Sequence, residues 1–177
     1  MENNQSIFET ICRLREEEPG LPYRFQDERT AGQKDVLYVL ASEGIPFWRK
    51  EDLAKECCGI LKDLVNKEDT ILTDPVLRHF LEHYPICSYF IELRERVRIT
   101  LEAETSSRER LFHLGMRLAR SGTDPEQVKL GIILLGFFPY DTTKQIMRVL
   151  GYHSEYTLYV LESIQYVFPM QNNFIFE

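Results

Sequence analysis

The chain has 177 residues, 44% of them hydrophobic and 28% charged. That is enough apolar material for one globular domain of ordinary size, and it excludes an intrinsically disordered chain. The formal net charge of −7 sets the bulk surface against phosphate backbones, while leaving room for a local basic patch.

The four cysteines, Cys12, Cys57, Cys58 and Cys87, are too few for a disulfide scaffold and form no CxxC pair, so reduced thiols are expected. Met1 to Gln5 is polar and acidic, and no apolar core of a secretory signal follows it. The longest apolar run, Leu130 to Pro139, is about half of what a bilayer span requires. A cytoplasmic chain, neither secreted nor membrane-embedded, is the expectation.

Helix punctuation recurs along the whole sequence. Ser6-Ile7-Phe8-Glu9 has capping-box spacing and opens a helix to about Glu17, which Pro19-Gly20 ends. Gln33 to Glu43 reads as a second helix stopped by Gly44, and Arg49 to Asn66 as a third with Leu53, Ile60, Leu61, Leu64 and Val65 inward. Asp74-Pro75 opens a short helix that Pro85 closes, and Ile86 to Glu104 reads as one longer helix. Ser106 to Glu109 is a second capping box, for a helix that stops at Gly122. Asp124-Pro125, Asp141 and Ser154 start three more, ending near Pro139, Gly151 and Pro169. No segment alternates with period two, and no hairpin turn signal occurs.

These signals predict a single all-α domain over 1–177. Residues 1–104 form an irregular N-terminal helical bundle, 107–168 form paired helices, and 169–177 are a tail. From Arg108 onward the helices are about 10–15 residues long with loops of about 3–5, which forces antiparallel neighbours. Glu126 to Phe138 is apolar nearly all round and must be covered on several sides. Gly131 and Gly136 within it cost helix propensity, which close helix–helix approach would offset.

Asp124-Pro125-Glu126-Gln127-Val128-Lys129-Leu130-Gly131, followed by Leu134-Leu135-Gly136, resembles the second helix of a short bacterial HEAT repeat. Thr143 to Leu150 is similar to the first helix of a following repeat, and His153 to Ile164 to its second. The resemblance covers about 107–168. It implies antiparallel helix pairs stacked as a HEAT-like α-solenoid, a scaffold that binds rather than catalyses.

Three sets of residues carry candidate sites. On the last helix Tyr159, Glu162 and Tyr166 share a side opposite Leu158, Val160, Leu161, Ile164, Val167 and Phe168. With Lys129 from the Glu126–Phe138 helix they are expected to form one concave groove for another protein, since exposed tyrosines are good interface anchors. In the competing arrangement residues 170–177 fold back over the tyrosines. Arg94, Arg98, Arg110, Arg117 and Arg120 form an alternative, nucleic-acid-binding face, but interleaved glutamates nearly cancel the local charge. His79-Phe80-Leu81-Glu82-His83 matches H-x-x-E-H, the inverted zinc-protease motif. A zinc hydrolase using His79 and His83 is a further alternative. The apolar stripe of Val76, Leu77, Phe80, Leu81 and Tyr84 instead makes the histidines boundary residues, with Glu82 toward solvent and no metal. The leading expectation is a non-catalytic protein-binding module that needs no cofactor.

Overall fold

The computed structural model describes residues 5–17, 29–30, 32–41, 45–67, 70–103 and 108–167, with the side chains of 38–41 and 165–167 left undescribed. Among these the fold is all-α, without strands. The helices are α1 (Ile7–Glu17), α2 (Gln33–Ala41), α3 (Phe47–Leu64), α4 (Pro75–His83), α5 (Phe90–Ala103), α6 (Arg108–Ser121), α7 (Pro125–Leu135), α8 (Asp141–Gly151) and α9 (Ser154–Val167). A 3-10 turn, η1, spans Ile86–Ser88.

The caps act as their chemistry requires. Glu9 N donates to Ser6 Oγ at 3.2 Å and Ser6 N donates back to Glu9 Oε2 at 3.2 Å, closing the first capping box. Asp74 accepts from the Val76 and Leu77 amides, and Asp124 from those of Glu126 and Gln127. The second box, Ser106 to Glu109, falls partly outside the described residues. Asp141 and Ser154 are the first helical residues of α8 and α9 rather than caps before them.

One expected helix is broken. Ile86 to Glu104 is not continuous, because Tyr89 leaves helical geometry (φ −145°, ψ 16°) between η1 and α5. Pro85 cannot be entered as a helix interior, and the Ser88 hydroxyl donates to the Pro85 carbonyl, which favours a tight local turn.

α7 is the centre of the molecule, with Gln127 through Leu135 all buried. It packs against α4, α5, α6 and α9, while α3 packs on α4 and α5, and α1 on α6 and α8. Between α6 and α7, Gly115 faces Leu134 and Leu135 and Ala119 faces Gly131, while Gly122, just past the end of α6, faces Val128. Early residues of one helix meet late residues of the other, so this pair is antiparallel. Gly131 makes the closest approach between the two, since a Cβ at its position would stand 2.4 Å from the Ala119 nitrogen. On α7 and α9, Lys129 meets Glu155 and Gly136 meets Ser163, so those two helices run in the same direction. No helix among the described residues is long and apolar enough to cross a membrane.

Candidate functional site

A charge cluster is buried where α2, α7 and α9 meet. Glu126 and Lys129 lie one turn apart on α7, and Glu155 and Tyr159 one turn apart on α9, so each helix turns both residues toward the other. α2 closes the top with Asp35. Lys129 Nζ lies 2.7 Å from both Asp35 oxygens, 2.8 Å from Glu126 Oε1 and 3.1 Å from Glu155 Oε1. The Tyr159 hydroxyl donates to Asp35 Oδ2 at 2.7 Å, and the Ile86 amide donates to Glu126 Oε2 at 2.6 Å. The ammonium also lies 5.5 Å from the Tyr159 ring centre, and Phe90 meets that ring edge-on at 5.8 Å.

Three carboxylates thus surround one ammonium whose side chain is 2% exposed. Burial alone would lower the pKa of Lys129, but Glu126, Asp35 and Glu155 outweigh it and hold the group above its ordinary value. Burial raises Glu126, with Lys129 opposing the shift. Burial, then the Asp35 charge, raises Tyr159 strongly, so its phenol stays a hydrogen-bond donor. The cluster ties α2 to α7 and α9.

This corrects the groove expected from the sequence. Lys129 and Tyr159 are each only 1% exposed, so neither belongs to a concave surface. The inward face of α9 is right in part: Val160 and Ile164 are buried as expected, but Leu158, also expected inward, is 53% exposed, and Tyr156 and Tyr159 are buried. The physical reason is Asp35, an acceptor that lets the phenol be buried satisfied. Glu162 is half-exposed and takes Arg94, which donates to both its carbonyl (3.0 Å) and its carboxylate (3.1 Å). The Tyr166 side chain and residues 168–177 lie outside the described residues.

The arginines are dispersed rather than gathered. Arg98 is forked between Glu95 and Glu102 on α5, and Arg110 donates to Asn66 at 2.6 Å. Arg117 and Arg120 are exposed on α6. Burial also raises the thiols, Cys58 to about 11, Cys87 to about 12 and Cys57 further, so none is a thiolate at neutral pH.

His79, Glu82 and His83 are all exposed on the outer side of α4, so the histidines are solvent residues rather than boundary ones. Their ligand atoms lie within 4.8 Å of one another.

A surface the sequence reading missed lies between α3 and α5. Phe47, Ile91 and Ile99 are 66%, 56% and 45% exposed around an open groove of about 320 Å³. Glu51, Glu92 and Glu95 rim it, with Arg96 the cation among its lining residues. The available signal was the unusual pair Phe47-Trp48 beside Pro46, which lay ahead of the helix start expected at Arg49.

No protein-family model, curated protein or solved structure matches this chain.

Proposed function

We propose that the chain is a non-catalytic, HEAT-like stack of helix pairs that binds another protein, and that the α3–α5 groove receives a basic amphipathic helix of that partner. The observation that carries this reading is the exposed apolar line of Phe47, Ile91 and Ile99 under an acidic rim. Large apolar side chains gathered at an open groove mark interaction sites. Ile91, Glu95 and Ile99 recur every fourth residue along α5, and Phe47, Glu51 and Ala54 run along α3. Two parallel tracks of this kind suit a third helix laid between them. Trp48, 63% exposed on the same turn as Phe47, adds the residue type most common among interface anchors. The rim and the net charge of −7 select a cationic partner.

The same direction of α7 and α9, with α6 antiparallel to α7, supports the repeat reading, because equivalent helices of successive HEAT units run alike.

The test uses synthetic helical peptides about five turns long, one with a leucine face and lysines elsewhere, the other with glutamates in place of lysines. The lysine peptide should bind the full chain at least about tenfold tighter than the glutamate peptide. Phe47→Ser with Ile91→Ser, and separately Glu51→Lys with Glu92→Lys, should each weaken it by about tenfold or more. Equal binding of both peptides, or loss only in the charge-reversed variant, would overturn the groove as a helix receptor. Concentration-dependent self-association abolished by Phe47→Ser with Ile91→Ser would make a second copy of the chain the occupant instead.

A further inference from the structure

We propose that the outer face of α4 binds one divalent transition-metal ion through His79, Glu82 and His83, at a site separate from the α3–α5 groove. The three residues occupy positions i, i+3 and i+4 of one helix, so their side chains leave it over the same patch of surface. The helix beneath is firmly set: Asp74 caps it, and Leu77, Phe80 and Leu81 are buried on its inner side. The outer side chains thus share one rigid platform.

The geometry already converges. The imidazole centres are 4.1 Å apart, and one ligand atom from each of the three residues lies within 4.8 Å of the others. Zinc–nitrogen bonds of about 2.0–2.1 Å bring tetrahedral ligand atoms to about 3.3 Å of one another. The remaining closure, about 1.5 Å at most, is within reach of rotations of exposed side chains.

One hydrogen bond favours binding further. His83 Nδ1 lies 2.9 Å from the His79 carbonyl oxygen. A carbonyl only accepts, so Nδ1 carries the hydrogen and donates it. In the neutral ring the lone pair then sits on Nε2. Metal-ligating histidines are commonly oriented by such a bond from the other ring nitrogen. Two imidazoles and one carboxylate select Zn²⁺, Ni²⁺, Co²⁺ or Cu²⁺ over Mg²⁺ and Ca²⁺, which prefer all-oxygen sets. Water completes the coordination.

The experiment is calorimetric titration of Zn²⁺, and separately Mg²⁺, into metal-stripped full-length protein. About one Zn²⁺ should bind per chain with a Kd below about 100 µM, and Mg²⁺ should give no heat of binding. His79→Ala and His83→Ala should each weaken Zn²⁺ by about tenfold or more, Glu82→Gln by several-fold, and His113→Ala not at all. These side chains are exposed, so circular dichroism should show every variant folded. With Cu²⁺, the electron paramagnetic resonance spectrum should show two coordinated nitrogens. Binding that survives the loss of both α4 histidines, or no Zn²⁺ binding below millimolar concentration, would overturn the site.

Discussion

The ammonium of Lys129 lies 2.7 Å from both carboxylate oxygens of Asp35, across 94 residues of sequence. This contact fastens α2 to the centre of the molecule. It is also an exposed flank in energetic terms, because a buried pair stripped of one partner leaves an uncompensated charge. Lys129→Met keeps most of the stem and removes the ammonium, leaving Asp35, Glu126 and Glu155 to face one another. The variant should lose about 3–5 kcal/mol in urea unfolding. An unchanged midpoint would mean that the carboxylates take up protons or water without cost.

Tyr159 shares that acceptor. Tyr159→Phe removes only the hydroxyl that donates to Asp35 and should cost about 1.5–3 kcal/mol, as for a hydrogen bond to a charged group. Tyr159→Ala also empties a position that is 1% exposed and should cost about 3–5 kcal/mol. Native-state hydrogen exchange should show α2 amides opening more readily in Tyr159→Phe than α6 amides do. Uniform acceleration across both helices would mean that Tyr159 supports the whole core and not α2 in particular.

The all-α class, the capped helix starts of α1, α4 and α7 and the buried, glycine-spaced α7 were legible because their signals are local: a hydroxyl or carboxylate, a proline, a period of three or four. The charge cluster was not. Its members Asp35, Glu126 and Glu155 each read as ordinary polar surface on their own helix, and Tyr159, which the sequence does set beside Lys129, reads as an exposed anchor. A lysine in an apolar helix therefore looks like a groove residue, whereas Lys129 marks the point where α2 docks. The α3–α5 groove was hidden for the opposite reason. Ile91 and Ile99 are the residue types expected in a core, and nothing local says that they stand 56% and 45% exposed among the described residues.

Two glycines in helix interiors should respond to alanine with opposite signs. A Cβ on Gly131 would stand 2.4 Å from the Ala119 nitrogen and 2.9 Å from its Cα, both backbone atoms that cannot turn aside. Gly131→Ala must push α6 and α7 apart, and it should destabilise by about 1–3 kcal/mol despite the better helix propensity. A Cβ on Gly59, within α3, meets nothing within 4 Å. Gly59→Ala should stabilise by about 0.5–1 kcal/mol through the unfolded chain alone. Thermal unfolding of the two variants side by side decides this, and a stabilised Gly131→Ala would show that the helices are not in contact there.

His153, in the turn between α8 and α9, should make the fold sensitive to acid. It is 3% exposed, its ring meets Tyr156 edge-on at 6.4 Å, and burial lowers its pKa from 6.5 to about 4. The folded state therefore holds this imidazole neutral, while the unfolded chain protonates it near 6.5. The stability it contributes is fully present above 6.5, falls with pH below that value and is gone once pH passes below about 4. Its full size over that window is about 3 kcal/mol. Glu126 acts in the other direction: its raised pKa means the folded state binds that proton more readily, so its contribution grows on acidification and is lost as pH rises through the folded pKa. The two are separated by comparing wild type with His153→Gln, since Glu126 is common to both. Urea unfolding from pH 7 to pH 4 should show wild type losing about 2–3 kcal/mol more than the variant over that range. Parallel curves would mean that the imidazole takes up its proton in place, with water reaching the α8–α9 turn.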